Sequence, residues 1–133
     1  MVTIKKTLLL TGASRGIGHA TVKRFSTAGW RVITCSRQPF PEDCPWDAGP
    51  EDHIVVDLAS SQDTHAAIAV MREKLKAQGS KLHALVNNAA INDMFENPTM
   101  AAEQSRFENY PLTMWQKSLE ANVTGVFLCS QIL

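Results

Sequence analysis

The sequence predicts an α/β fold in which helices cover both faces of a parallel β-sheet. Four short apolar runs alternate with segments of helical periodicity along 133 residues. Strands that alternate with helices indicate parallel pairing through right-handed crossover connections. The 44% hydrophobic and 20% charged content is that of an ordinary globular protein, and the length suits one domain over residues 1–133.

The first strand and helix are predicted at residues 6–11 and 16–28. The strand is too continuously apolar for a half-exposed position. Gly29 is placed to end the helix. Five residues of the helix recur at helical spacing: Ile17, Ala20, Thr21, Phe25 and Ala28.

Two more strands and a second helix follow. The β-branched run at 31–35 predicts the second strand, and the four prolines of residues 36–52 predict a loop. The third strand, "HIVVDL", ends at Asp57. A capping box at Ser60 and Asp63 then opens a helix that runs to Gln78 and stops at Gly79. Its inward stripe is predicted to be Ile68, Met71 and Leu75.

The last third of the chain predicts a fourth strand, an irregular stretch and a helix. The strand lies in "KLHALVNNAA", residues 81–90, and residues 91–111 are long and polar. A solvated excursion is the favoured interpretation of that stretch, with a subunit contact or a substrate-side flap as alternatives. A helix begins near Thr113. Its apolar face is predicted to include Leu119, Val123, Val126, Phe127 and Leu128.

The glycine-rich turn "TGASRGIG", residues 11–18, joins the first strand to the first helix. Free N–H groups at a helix N-terminus and the helix dipole together attract an anion. Glycines let a diphosphate approach the backbone without meeting a Cβ atom. The alternative is a tight turn that merely uses glycine.

With Thr11 in front, this turn resembles the cofactor loop of the short-chain dehydrogenase/reductase family. Three further motifs resemble that family in the same order: Asp57–Leu58, "NNAA" at Asn87–Ala90 and "NVTG" at Asn122–Gly125. The resemblance covers residues 5–133. It implies a Rossmann-type doubly wound sheet with strands 1–4 of the order 3-2-1-4-5-6-7.

The resemblance also implies roles for individual residues. Asp57 would accept a hydrogen bond from the adenine amino group, with Leu58 beside it, although Asp57 could be only a turn residue. Asn88, Ala89 and Ala90 would line the nicotinamide-side ribose, and the methyl of Ala90, where the family usually has glycine, should be tolerated. The residues implied at the pyrophosphate and adenosine ribose are Gly12, Ser14, Arg15, Gly16, Ile17 and Gly18.

The sequence favours NADP over NAD. Dinucleotide folds that choose NAD carry an acid near the end of the second strand, whereas a nearby arginine accommodates the 2′-phosphate of NADP. No acid occurs between residues 30 and 41, and Arg37 stands at this turn. Arg15 supplies a second positive charge. A solvated loop arginine is the alternative interpretation of Arg37.

The catalytic set of the family is incomplete in these residues. The family uses a serine and a Tyr-x-x-x-Lys pair, but the single tyrosine, Tyr110, precedes the asparagine helix and has Met114 four residues on. Of the catalytic residues only Asn122 is present, and it could instead be a polar helix residue bonded to backbone. We therefore expect the N-terminal, cofactor-binding half of a longer reductase acting on an alcohol/carbonyl substrate, inactive by itself. The alternative is a non-catalytic NADP-binding module or a degenerate family member.

The amino-acid composition excludes several classes of binding partner. Thirteen basic and 13 acidic residues give zero net charge, which argues against nucleic acid or an anionic membrane. Three cysteines without paired spacing predict no disulfide framework and a cytoplasmic location, and the four histidines lack metal-ligand spacing. No run approaches the length of a membrane span. The family resemblance implies a homodimer or homotetramer.

Overall fold

The computed structural model describes residues 4–39, 50–91, 102, 104 and 106–133. Its centre is a four-stranded sheet in the order β3-β2-β1-β4, in which every pair is parallel. The strands are β1 (Thr7–Thr11), β2 (Arg31–Ser36), β3 (His53–Val55) and β4 (Ala84–Val86). This order is the one that the family resemblance implies, so the Rossmann-type α/β prediction is confirmed.

The direction of chain winding reverses at β1, which pairs with β2 on one side and with β4 on the other. Leu8 lies opposite Val32 in β2 and opposite Ala84 in β4. In open parallel sheets, ligands bind beyond the carboxyl ends of the strands at such a switch point. The fold therefore places the glycine-rich turn after β1 at the position where a ligand is expected.

The helices are α1 (Gly16–Thr27), α2 (Ser61–Ala77), α3 (Leu112–Leu119) and α4 (Gly125–Ile132), and a π-helical turn, Glu120–Thr124, joins α3 to α4. Short 3₁₀ turns lie at Pro50–Asp52 and Phe107–Asn109. Gly29 and Gly79, both at positive φ, follow α1 and α2 as predicted. The hydroxyl of Ser60 accepts a hydrogen bond from the Asp63 amide, which confirms the predicted cap of α2.

Two apolar layers cover the sheet, one on each face. On one face, Leu9 and Ile33 pack with Ile68, Met71 and Leu75 of α2, so the predicted stripe of that helix is confirmed. On the other face, α1 covers a smaller cluster formed by Leu8, Leu10, Ala13, Val22 and Val32. Since consecutive residues of β1 enter opposite layers, its whole length is buried, as continuous apolar strands of parallel sheets require.

The helix α1 is as predicted, but the residues that recur along it at helical spacing face the core only in part, through Phe25, which packs against the smaller cluster. Ile17 is 78% exposed, and the buried residues of α1 are Gly18 and Val22. Gly18 lies directly against the carbonyl of Gly12, so this backbone contact sets the rotation of the helix. The Ile17 side chain consequently faces solvent.

The predicted apolar face of the last helix is covered only in part: Leu128 packs against the core and Val126 is half-buried. Leu119, Val123 and Phe127 are 42%, 58% and 57% exposed. The buried positions are small or moderate in size, because α4 packs closely on α2: Ala121, Gly125, Cys129 and Ile132. Hydrophobicity alone thus does not distinguish the covered side of this helix from the side that no described element covers.

Residues 40–49 and most of the stretch from 92 to 105 lie outside the described residues, so the predictions of a loop and of a solvated excursion there are tested only at their ends. Pro50–Asp52 and Phe107–Asn109 form 3₁₀ turns at those ends. Among the described residues, no helix has both the length and the apolar character needed to cross a bilayer.

Candidate dinucleotide-binding site

The glycine loop is locked against both neighbouring strands. The amide of Gly12 donates to the Cys35 carbonyl at the end of β2, with 2.9 Å between the atoms. A Cβ atom on Gly12 would stand 2.8 Å from Cα of Ala89, and one on Gly18 would stand 1.9 Å from the carbonyl oxygen of Gly12. Both separations are shorter than real atoms allow, so glycine is required here by packing.

The middle of the loop faces open space. Gly16 has φ +59°, a conformation that favours glycine, and a Cβ on it would meet no atom within 4 Å. Ser14, Arg15 and Ile17 are exposed around it. Arg15 is the N-cap of α1, no side chain caps this end, and its first turn carries no acidic residue. A helix start of this kind offers its amides to an anion, so the loop fits a diphosphate.

A buried threonine ties the end of β1 to the segment after β4. Thr11 Oγ1 accepts hydrogen bonds from the amides of Asn88 and Ala89, each at 3.1 Å, and the Asn88 side-chain amide donates to the Gly12 carbonyl at 3.1 Å. These bonds bring Asn88 and Ala89 beside the glycine loop. In the sequence, Thr11 only helps to identify the loop, although its position at the end of the strand is a signal for this second role.

Replacing the buried Thr11 with valine is expected to destabilise the protein by about 1–3 kcal/mol, because two partly buried amides lose their acceptor while the shape is kept. Denaturant unfolding of the full-length protein measures this change. Thr27→Val on the exposed end of α1 serves as control, since the Thr27 hydroxyl only donates to the Lys23 carbonyl of its own helix. Equal stability of the Thr11 variant and the wild type would contradict the assigned role.

The turn after β2 lies next to the glycine loop. Gly12 and Ala13 both donate to the Cys35 carbonyl, and Arg37 follows two residues after Cys35. The Arg37 side chain is exposed. Among the described residues it forms neither a hydrogen bond nor an ion pair. Arg37 thus follows closely on the residue whose carbonyl bonds the loop, and its side chain faces solvent.

Asp57 and Leu58 lie at the end of the next strand outward. One carboxylate oxygen of Asp57 accepts from the amide of Ala59 at 3.0 Å, and the Asp57 carbonyl accepts from Ser60. Asp57 is therefore a turn residue, which leaves its second oxygen for another donor. Leu58 packs on the core, and its carbonyl oxygen lies 3.2 Å from where a Cβ of Gly125 would stand.

Asn122 sits in the π-helical turn and is bonded to the chain that leaves β4. Its Oδ1 accepts from the amide of Ile91 at 2.7 Å, and its Nδ2 donates to the Ile91 carbonyl at 2.9 Å. The side chain is thus engaged with backbone. Neighbouring Ala90 is exposed, and its φ is not positive, so its methyl group introduces no backbone strain.

The two described cysteines are not candidate nucleophiles. Cys35 and Cys129 are buried and free. Burial raises the pKa of both thiols, which keeps them protonated at neutral pH. Neither thiol therefore serves as a nucleophile of the candidate site, which is formed by the glycine loop and the three strand-end segments around it.

Comparisons with known proteins agree with this geometry. A family model described as short chain dehydrogenase matches residues 6–133. Protein FixR from Bradyrhizobium diazoefficiens is 57% identical over 127 residues, which cover 95% of this chain and 44% of FixR. A 3alpha-hydroxysteroid dehydrogenase from Mediterraneibacter gnavus is 33% identical over 135 residues, which cover 98% of this chain and 50% of that protein.

A solved structure is similar as well. An oxidoreductase of the short-chain dehydrogenase/reductase family from Brucella ovis, in complex with a partially ordered NAD, has a TM-score of 0.81 and 54% sequence identity, and the match covers 96% of this chain and 55% of that one. A glycine loop at the switch point of a parallel sheet defines the dinucleotide-binding class of α/β proteins. Within that class, the chain belongs to the short-chain dehydrogenase family. It spans about half the length of the curated relatives that it matches.

Proposed function

We propose that this chain is the cofactor-binding part of an NADP(H)-dependent oxidoreductase that moves hydride between the nicotinamide and an alcohol/carbonyl substrate. The observation that carries the proposal is the uncapped start of α1, which lies beside a glycine loop held against β2 and against the segment that follows β4. The bound dinucleotide supplies the hydride. The residues of this chain bind the dinucleotide, orient it and discriminate against the other nicotinamide cofactor.

Each segment of the site has a part in this proposal. The loop amides from Gly12 to Gly18 bind the diphosphate, and Ser14 and Arg15 lie toward the adenosine ribose. The free carboxylate oxygen of Asp57 accepts a hydrogen bond from the adenine amino group.

At the nicotinamide end, the ribose is lined by Asn88, Ala89 and Ala90. Thr11 fixes the backbone of the first two of these residues. Asn122 holds the segment that follows through Ile91.

The preference for NADP rests on Arg37 and on the lack of an acid in the turn after β2. A 2′-phosphate gains charge-assisted hydrogen bonds from arginine, whereas an acid would repel it. The relative from Brucella ovis was solved with NAD, so an NAD-dependent oxidoreductase is the alternative.

The serine and the Tyr-x-x-x-Lys pair of the proposed reaction are assigned to a part of the protein outside these 133 residues. Tyr110 is half-buried beside Pro111, ahead of the helix that carries Asn122, and Met114 occupies the position that the lysine would need. We therefore expect residues 1–133 alone to be inactive. The buried free thiols of Cys35 and Cys129 support a reducing, cytoplasmic location.

Calorimetric titration of the full-length protein with NADPH and with NADH tests the proposal. We expect NADPH to bind more tightly, and the loaded protein to oxidise NADPH when carbonyl compounds are supplied. Binding without turnover over a broad panel of carbonyls would favour the non-catalytic module. Tighter binding of NADH would remove the NADP assignment, and the absence of binding by either nucleotide would remove the proposal.

We also propose that the intact protein is a homodimer or homotetramer that pairs through the outer side of α3 and α4. Four apolar side chains at four-residue spacing remain 42–58% exposed there: Trp115, Leu119, Val123 and Phe127. Contiguous apolar surface of this kind marks interaction sites.

A charge placed on this surface is expected to dissociate the assembly. Val123→Lys should convert the full-length protein to monomers at micromolar concentration in sedimentation velocity, because pairing would bury an unpaired ammonium group. Val70→Lys is a matched control on the outer side of α2, where valine is 69% exposed. An unchanged sedimentation coefficient for Val123→Lys would contradict pairing through this surface.

A further inference from the structure

One histidine joins two strands and the turn that carries Arg37. His53 begins β3 opposite Thr34 of β2. Its Nδ1 lies 2.7 Å from Thr34 Oγ1, and its Nε2 lies 2.7 Å from the carbonyl oxygen of Gln38. The Ser36 hydroxyl lies 3.5 Å from the same Nε2. The ring therefore connects the outer strand pair to the chain just beyond β2.

The bonding pattern determines where the ring proton resides. A carbonyl oxygen can only accept, so Nε2 carries a proton and donates to Gln38. In the neutral ring Nδ1 is then the acceptor, and the Thr34 hydroxyl donates to it. Thr34 is buried, and so it holds the ring in the orientation that reaches the turn.

The turn is fixed on both sides of Arg37. Ser36 Oγ accepts from the Gln38 amide at 3.2 Å and lies 3.0 Å from the Gln38 carbonyl oxygen, to which it donates. His53 adds a bond to the same carbonyl from a neighbouring strand. Because Ser36 and Gln38 are both held, the Cα of Arg37 is fixed relative to the sheet while its side chain stays exposed.

We propose that His53 is a positioning residue for nucleotide selectivity: through the Gln38 carbonyl it holds the turn from which Arg37 reads the adenosine end of the dinucleotide. The inference rests on the proposed NADP preference and adds a residue from outside the family motifs. A pre-fixed turn favours NADPH because the arginine loses less freedom when the 2′-phosphate binds. NADH, which lacks that phosphate, gains little from the fixed turn.

The test compares the ratio of the NADPH and NADH affinities in the full-length protein. His53→Leu removes the donor at similar size, and we expect the NADPH preference to fall by about 3- to 10-fold, the range of one lost hydrogen bond. His53→Gln keeps an amide N–H near the position of Nε2 and should restore most of the preference. A purely structural role would weaken both nucleotides alike and leave the ratio unchanged.

His83→Leu is the matched control, since the Nδ1 of His83 also joins two strands by accepting from the amide of Thr7, but at the opposite end of the sheet. The ratio of NADPH to NADH affinity in this variant should equal that of the wild type. A fall in this ratio as large as that in His53→Leu would overturn the inference. If His53→Leu does not fold, the same affinity ratio is measured for Thr34→Val. A ratio below that of the wild type supports the inference, and an unchanged ratio overturns it.

The outcomes separate the two proposals. A wild-type preference for NADPH that survives in folded His53→Leu overturns this inference alone. A wild-type protein that shows no preference for NADPH overturns the proposed cofactor, and the role of His53 with it.

Discussion

Replacing Arg37 with alanine is expected to weaken NADPH binding by about 10- to 100-fold and to leave NADH binding nearly unchanged. The range follows from the roughly 1.5–3 kcal/mol of a hydrogen bond to a charged group. Arg37 is exposed and follows two residues after Cys35, whose carbonyl bonds the glycine loop, and the described structure gives its side chain no partner. Calorimetric titration of the full-length variant with both nucleotides measures the effect.

Arg24→Ala is the control for this experiment. Arg24 is an exposed residue in the last turn of α1, so its removal changes the net charge equally but at the far end of the helix. Its NADPH affinity should stay within about twofold of the wild type, since exposed charges further apart than a Debye length are largely screened. A similar loss in both variants would mean that Arg37 acts through net charge and does not contact the 2′-phosphate.

Replacing Gly18 with alanine should be the most destabilising change in the glycine loop, with a loss of at least about 3 kcal/mol. The added methyl group would stand 1.9 Å from the Gly12 carbonyl oxygen and 2.7 Å from Nδ2 of Asn88. The first of these atoms is backbone, so relief requires moving α1 away from β1. Thermal or denaturant unfolding of the full-length protein measures the loss.

Gly16→Ala separates packing from ligand binding. A methyl group at Gly16 meets no atom within 4 Å, and only the positive φ is unfavourable, at a cost of about 1–2 kcal/mol. This variant should fold but bind nucleotide poorly, because the methyl group projects into the space proposed for the diphosphate.

If the Gly18 variant were as stable as wild type, the close packing of α1 on the loop would be disproved.

Much of the fold could be predicted from the sequence because local and long-range signals agree. Continuous apolar runs mark buried parallel strands, and Gly29 and Gly79 mark the ends of α1 and α2. The inward side of α1 could not be predicted in this way. Its rotation is set by one backbone contact between Gly18 and Gly12, which outweighs the hydrophobicity of Ile17.

Only part of the candidate site could be predicted from the sequence, again because some contacts form only in the folded chain. Glycine spacing identifies the loop, since the need for bare backbone is visible in the sequence itself. Thr11 and His53 act through residues that are adjacent only after β1 pairs with β4 and β2 pairs with β3. Neither residue type signals such a role by itself, so the register of the sheet had to be known first.

The π-helical turn also determines the shape of the surface that α3 and α4 leave uncovered. In an ideal α-helix, residues four apart drift around the axis by about 40° at each step, so a long series with that spacing winds away from any one side. The wider turn at Glu120–Thr124 offsets this drift midway along the series that runs from Trp115 to Phe127. An irregularity in the helix thus yields a straighter apolar ridge than an ideal α-helix would, and a straighter ridge can lie along another helix over a greater length.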